Sequence, residues 1–442
     1  MKVWFFIFLS FPVMAQDYFN IELRSHWTDT SVVLGSGEVR FSDLWGFKVN
    51  GEKYAVIGSN EGSHFLKVNE YSVNEVDFKQ GAFSGPLVQH RDYKRYKNFI
   101  YAVCDEGPSS LQIFDISKLP DSVSIVYDSD HLFITCHNIF IDTSSARLYA
   151  CGPNGVGLKI FDISEPTNPT LLLNFTNINY VHDCFVLNDT AFLNSGVDGL
   201  RIYDFSNLAF PMELGVLSTY QEKGYNHSGW MNDSRTVYCF IDETEGKKIK
   251  FCKLDRGLDN IQVNALFGTK KALDYVAHNI QIVEGFAFVS YYNEGLRIFD
   301  LEQSPIKEVA YFDTYLIESS FKLHGAWGVF VFVEDEIVIL SDRQSGFFSF
   351  YFPFSKLRKQ SEKSKVYGNP VINENSQIII NMEGKDDLFF DIYSVSGSII
   401  YRQQLAKNWV NIPLSLKPGL YVYKVYSLDS NVKSTGKFAV LM

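Results

Sequence analysis

One signal recurs seven times along this chain at a period of about 47 residues, and that period limits what the chain can fold into more than any single residue does. Each unit opens with a bulky ring residue at the head of an apolar run: Trp45, His90, His137, His182, His227, His278 and Trp327. The third run of each unit is the most regular. It reads SHFLKV from Ser63, LQIFDI from Leu111, LKIFDI from Leu158, LRIYDF from Leu200, IKFCKL from Ile249, LRIFDL from Leu296 and FFSFYF from Phe347. A unit of this length cannot bury its own apolar face, so neighbours must stack, and strand-built repeats of 40 to 50 residues stack radially into a β-propeller. The expected fold is all-β: a seven-bladed propeller followed by a small Ig-like β-sandwich.

Within a unit the pattern is that of a meander. His137 to Ile141 alternates, Asp142 to Ala146 turns, Arg147 to Ala150 runs back, and the turn Gly152-Pro153-Asn154-Gly155 leads into Leu158 to Ile163. The break Ser164-Glu165-Pro166-Thr167-Asn168-Pro169 then precedes a fourth, outer strand at Thr170 to Leu173. The last unit stops at its third strand, whereas Ile21 to Ser25 offers a strand with no unit of its own. This N-terminal strand is expected to complete the seventh blade and remove the open edge.

Aromatic residues make up 16% of the chain, which suits half-buried pleated surfaces. A net charge of −11 argues against a nucleic-acid partner, which needs a basic face to release phosphate counterions. Residues 1–15 read as a signal peptide: Lys2, an apolar stretch from Val3 to Phe11, and Val13-Met14-Ala15 as a cleavage site. That stretch is too short to span a bilayer and nothing later approaches the required length, so no transmembrane span is expected. Six cysteines in a secreted chain allow fifteen full pairings. Cys239 with Cys252 and Cys136 with Cys151 are the pairs symmetric about turns, and buried free thiols are the alternative.

The strand heads His-Asn and His-Asp, the third strands and the Ser-x-Pro-x-x-Pro after Asp162 resemble the LVIVD-repeat propellers of the choice-of-anchor B family over residues 20 to 352. Units one, five and seven depart from that pattern, with Lys67, Lys253 and Tyr351 in place of the terminal Asp. The resemblance implies a cell-surface propeller over residues 16–353 and no agreed activity. Residues 354–365 are polar and basic and read as a linker. Residues 366–442, with Asn369-Pro370, Phe389 to Gly397, Lys417-Pro418-Gly419-Leu420-Tyr421 and the terminal run from Lys437, resemble the type A C-terminal sorting domain of the type IX secretion system. That second resemblance implies a Bacteroidota-type bacterium, the secretion machinery as a partner, and an extracellular or outer-membrane-surface location. It makes Asn369, Pro370, Gly419, Tyr421 and Lys437 candidates for the sorting signal.

The recurring rings are the one constellation with the residue types of a chemical site. The innermost strand of each blade lines the central channel, so His90, His137, His182, His227 and His278, with Trp45 and Trp327, are expected to form a ring around one axis. Repetition in every unit favours a blade-to-blade hydrogen-bonding role; ligand contact and transition-metal binding are the alternatives, since imidazoles are good ligands and three suffice. Asp115, Asp162, Asp204 and Asp300 are expected to accept bonds from turn amides, and no Asp-x-Asp-x-Asp spacing supports calcium there. No cofactor is predicted. The nucleophile elbow, the His-Glu-x-x-His zinc motif, the phosphate loop and the dinucleotide fingerprint are all missing. The leading expectation is therefore a non-enzymatic binding or scaffold propeller for an extracellular protein, glycan or small molecule. A secreted hydrolase or lyase with its site at the His-lined channel is the alternative.

Overall fold

A computed structural model of the chain describes residues 17–271, 274–315, 323–355 and 357, together with 366–367, 377–380, 388–394, 398–405, 409–411, 419–427 and 432–440. The signal-peptide reading, nearly all of the linker, and Asn369 and Pro370 lie outside these residues. The chain divides into two compact units, Met1–Phe352 and Pro353–Met442.

The first unit is built of seven antiparallel sheets. Their first strands are Phe41–Val49, Arg91–Tyr96, Asn138–Asp142, Asp183–Leu187, Asn226–Met231, Asn279–Val283 and Ala326–Phe332. In the first six sheets the following three strands add in chain order, and the seventh takes its fourth strand from Glu22–Trp27. Each first strand packs on the next, and the seventh packs on the first, so the arrangement closes on itself.

Apolar alternation is what forces this stacking. Tyr101, Val103 and Ile113 of the second sheet share one core with Ile139, Leu148 and Phe161 of the third. Tyr149 and Ile160 of the third pack with Val186, Leu193 and Tyr203 of the fourth. The same holds between the first and second sheets, the fourth and fifth, the fifth and sixth, and the seventh and first. Between the sixth and seventh sheets, Phe312 meets Phe350 at 4.8 Å between ring centroids and Phe286 meets Phe352 at 5.5 Å.

The N-terminal segment joins two sheets. Tyr18–Phe19 pairs with the outer strand Lys307–Phe312 of the sixth, and Glu22–Trp27 pairs with Gly346–Tyr351 of the seventh. Trp27 then packs edge-on against Phe41 of the first sheet and lies 5.1 Å from the His64 ring, so the segment ties the chain's ends across the closure.

The four aspartates that end third strands each accept the backbone N–H two residues on: Ser117 to Asp115 at 2.8 Å, Ser164 to Asp162 at 2.7 Å, Ser206 to Asp204 at 2.8 Å and Glu302 to Asp300 at 3.1 Å. They make turns. All six cysteines are free and buried. Cys239 stands opposite Phe251 while Cys252 stands opposite Tyr238, so the two thiols sit one register position apart and point to opposite faces. The near pair joins two sheets, Cys151 and Cys184, whose sulfurs are 3.3 Å apart.

The second unit carries two sheets, one of Val366–Tyr367, Gln377–Ile380 and Trp409–Asn411 and one ordered Ile399–Leu405, Leu388–Ser394, Gly419–Ser427, Val432–Val440. Phe390, Ile392, Tyr421, Tyr423 and Val425 are buried, and buried Asp391 accepts two 2.7 Å bonds from the Arg402 guanidinium. Gly419, Tyr421 and Lys437 lie on adjacent strands, with Tyr421 opposite Phe438 and Val422 opposite Lys437. Among the described residues no helix is long and apolar enough to cross a membrane.

Deleting residues 17–30 removes the outer strand of the seventh sheet and the Trp27 contact with the first. One cooperative melt lowered by roughly 5 to 10 °C is expected for that deletion, measured by calorimetry on the first unit. An unchanged melt would mean that this segment lies outside the cooperative structure.

Candidate functional site

The first strands run side by side, so equivalent positions along them converge in layers. Five histidines and one tryptophan form the outermost layer as a nearly continuous circuit of rings. Successive centroids are 5.6 Å apart for His90 and His137, 4.0 Å for His137 and His182, 4.1 Å for His182 and His227, 4.5 Å for His227 and His278, 4.2 Å for His278 and Trp327, and 5.4 Å for Trp327 and His90. These six rings, with Asn138, Asn279, Arg91 and Asp92, line a funnel whose cavity volume is about 20 Å³, room for roughly one water.

Trp45 stands apart from this circuit. It lies deeper, on the opposite side of the next layer, with its ring 5.0 Å from Phe330 and under the Lys94 ammonium at 4.6 Å. Phe140, Phe185 and Trp230 cluster at the same depth. Spacing misplaced Trp45 because the first strand of the first sheet starts four residues before it, at Phe41, and Trp45 pairs level with Trp230 and Phe330 further along their strands. The position that heads the other strands falls near Ser42, which has no ring to offer.

Between the two ring layers lies a polar one, lining a second cavity of about 40 Å³: Asp43, Asp92, Asn138, Asp183, Ser228 and Asn279, joined by the Lys94 ammonium. The seventh sheet contributes Gly328. A Cβ there would come within 2.0 Å of an Asp43 carboxylate oxygen, so glycine is what lets Asp43 occupy that place. Lys94 donates to Asp92 at 2.7 Å. Three carboxyls facing one ammonium in a buried layer cannot all ionise. Burial, then the neighbouring Asp92, pushes the Asp43 carboxyl well above its ordinary range. Burial likewise pushes Asp183 up to about 7, although Lys94 opposes it. Burial works against the charge of Lys94, but Asp92, Asp43 and Asp183 raise its pKa overall.

The histidines differ in their partners. His137 donates from Nδ1 to Asp105 of the second sheet at 2.9 Å, and His90 pairs through Nδ1 with Glu106. Burial disfavours the charged His137, yet the bond and charge of Asp105 raise its pKa. On the other side of the funnel, His278 donates from Nδ1 to the Trp327 carbonyl at 2.7 Å. Nδ1 of His182 and of His227 has no hydrogen-bond partner, although both residues are buried. Burial, reinforced by neighbouring imidazoles, holds His182 well below the ordinary range, and burial brings His227 down to about 4. One ring thus has two faces, a carboxylate-supported pair and a neutral trio.

The groups above the ring come from loops that the repeat heads do not reveal. Asp105, Glu106, Glu243, Tyr292 and Arg343 all lie in turns between second and third strands. Arg343 caps the Trp327 ring at 4.4 Å, and Tyr292 donates to Glu243 at 2.5 Å. A sequence signal existed for them: Asp105-Glu106-Gly107, Glu243 ahead of Gly246, and Arg343 ahead of Gly346 put a charged residue before the turn glycine.

With that architecture in view, comparison with known proteins narrows the class. The LVIVD repeat family matches residues 149–177, which supports a repeat-built β-propeller protein. No curated protein matches the sequence. Among solved structures, PorZ of Porphyromonas gingivalis, an essential bacterial surface component of the type IX secretion system, aligns at 12% identity and a TM-score of 0.51. That alignment covers 94% of this chain and 61% of PorZ, so this chain spans less than two thirds of that protein's length. A functionally unknown protein from Desulfotomaculum acetoxidans aligns at 13% identity and a TM-score of 0.49, covering 66% of this chain and 92% of its own. At these identities the likeness concerns the fold.

Two outcomes follow from the layers. His278→Phe keeps a ring but loses the bond to the seventh sheet, and should cost about 1 to 3 kcal/mol in urea unfolding; His182→Phe, which breaks no Nδ1 bond, should cost less. Equal losses would remove the bond as the cause. Asp43 holds its proton in the folded state above the pH at which the unfolded chain releases it, so its contribution is complete below the ordinary carboxylate pKa and is lost as pH rises through the folded value. Asp43→Asn should therefore flatten the decline of stability as pH rises above the ordinary carboxylate range; an unaltered slope would show that Asp43 is ionised throughout.

Proposed function

We propose that the chain is a secreted, surface-displayed seven-bladed β-propeller acting as a binding or scaffold module, exported by the type IX secretion system with residues 366–442 as its sorting domain. The observation that carries the binding role is the funnel, where six rings and loop-borne carboxylates converge on one axis. Such a floor offers aromatic faces, imidazole nitrogens and rim charge to a small polar group or a protruding side chain. Surface display is supported by the fold shared with PorZ, itself a surface component of that secretion system. The LVIVD match supports a repeat-built propeller, and the seven sheets with the N-terminal pairing support the blade count and closure.

The hydrolase or lyase reading draws on His137 with Asp105 and His90 with Glu106, each an imidazole oriented by a carboxylate as a general base would be. Among the described residues no Ser, Thr or Cys lines the funnel, so a covalent route through such a nucleophile has no candidate there, whereas a general base acting on water needs none. Binding is the leading role because it asks only for the convergent rings and rim charges.

Expressing the full chain and a version ending at residue 353 in a host with this secretion system tests the proposal. Protease shaving of intact cells should degrade the full-length product at the surface and leave the truncated one protected in the periplasm. Equal surface exposure of both would overturn export through the C-terminal unit. Turnover of nitrophenyl esters or glycosides that disappears in His137→Gln would shift the role to the enzyme.

A further inference from the structure

The two histidines without Nδ1 partners sit beside a carboxylate. One nitrogen of His182, one of His227 and one oxygen of Glu243 lie within 4.8 Å of one another. We infer that His182, His227 and Glu243 form a binding site for a divalent first-row transition ion of the zinc or copper kind.

Three observations carry the assignment. First, His227 Nε2 and Glu243 Oε2 are 3.8 Å apart, too far for a hydrogen bond and near the spacing of two donors that share one ion. Donors on a tetrahedral zinc stand roughly 3.4 Å apart. Rotation of the two imidazoles toward the carboxylate would bring the three atoms, now within 4.8 Å of one another, to that spacing. Second, the Glu243 carboxylate is already oriented, because its other oxygen accepts from Tyr292 at 2.5 Å. Supporting bonds of this type fix metal-bound carboxylates. Third, both imidazoles are almost wholly buried, so an ion held between them would be shielded from bulk water.

The donor set defines the ion. Two imidazoles and one carboxylate suit zinc, copper(II) or nickel and not calcium or magnesium, which take oxygen ligands. Three protein donors leave a fourth position facing the funnel, where water or a ligand of the propeller would bind. His90 and His137 are committed to Glu106 and Asp105, and His278 gives its Nδ1 proton to a carbonyl, so the flanking rings frame the site. The site rests on the propeller reading only for the convergence of the inner strands; it needs neither export nor display, so its failure leaves the localisation result untouched.

Cobalt(II) and zinc(II) titrations of chelator-stripped protein test the site. The wild-type chain should take up one equivalent of cobalt with intense visible ligand-field bands, displaced by zinc, and calorimetry should give one zinc per chain. Glu243→Gln and His227→Gln should each weaken zinc binding at least about tenfold, while His90→Gln should leave it unchanged. Glu243 is only part-buried, so its variant serves as the readout if His227→Gln does not fold. No stoichiometric uptake by the wild type, or tight uptake retained in Glu243→Gln, would overturn the assignment.

Discussion

Apolar contact between neighbouring sheets is the interaction on which the rest of the first unit depends. No sheet has a core of its own; each gives half of one wedge and half of the next, as with Phe161 meeting Phe133 below and Tyr149 meeting Phe205 above. A wedge left unpaired at either end would expose the apolar surface of a whole sheet, on the order of several kcal/mol at the usual value per unit area. Closure is thus an energetic requirement of the repeat. The N-terminal segment answers it by pairing with the sixth and seventh sheets and laying Trp27 on the first.

That requirement also accounts for the converging inner strands. Wedges wide at the rim and narrow at the axis bring the first strands together, and whatever side chains they carry must share the remaining volume. Rings fill the outer and inner layers. The middle layer holds the short polar residues Asp43, Asp92, Asn138, Asp183, Ser228 and Asn279. Buried carboxyls there are tolerated because Lys94 supplies a charge and because protons remain on some of them.

Much of the architecture was legible in the repeat because a strand's period of two and a turn's glycine are local properties. The third strands from Leu111, Leu158 and Leu200 were read from their first residue. The circuit of histidines was legible for the same reason, since equivalent positions in stacked units must meet. Trp45 was misread because the head position of the first sheet carries Ser42, and the nearest bulky ring along the strand belongs to the deeper layer. The partners of the histidines were missed on different grounds. Asp105 and Glu243 belong to loops whose positions over the axis depend on how sheets are tilted, a property of packing between units. The pair Cys151 and Cys184 was hidden likewise, joining strands of different sheets.

Seven sheets supply only six rings to the circuit, because the first sheet offers Ser42 where the others offer a bulky head. A floor with true sevenfold repetition would present seven equivalent poses to any guest, and a guest would be held without a preferred direction. The gap beside His90, the carboxylate-backed rings on one arc and the bare neutral rings on the other remove that degeneracy. The axis acquires a compass bearing: an electron-rich quarter near Asp105 and Glu106 and a cationic one under Arg343. Repetition builds the socket, and the departures from repetition decide which way round its occupant sits.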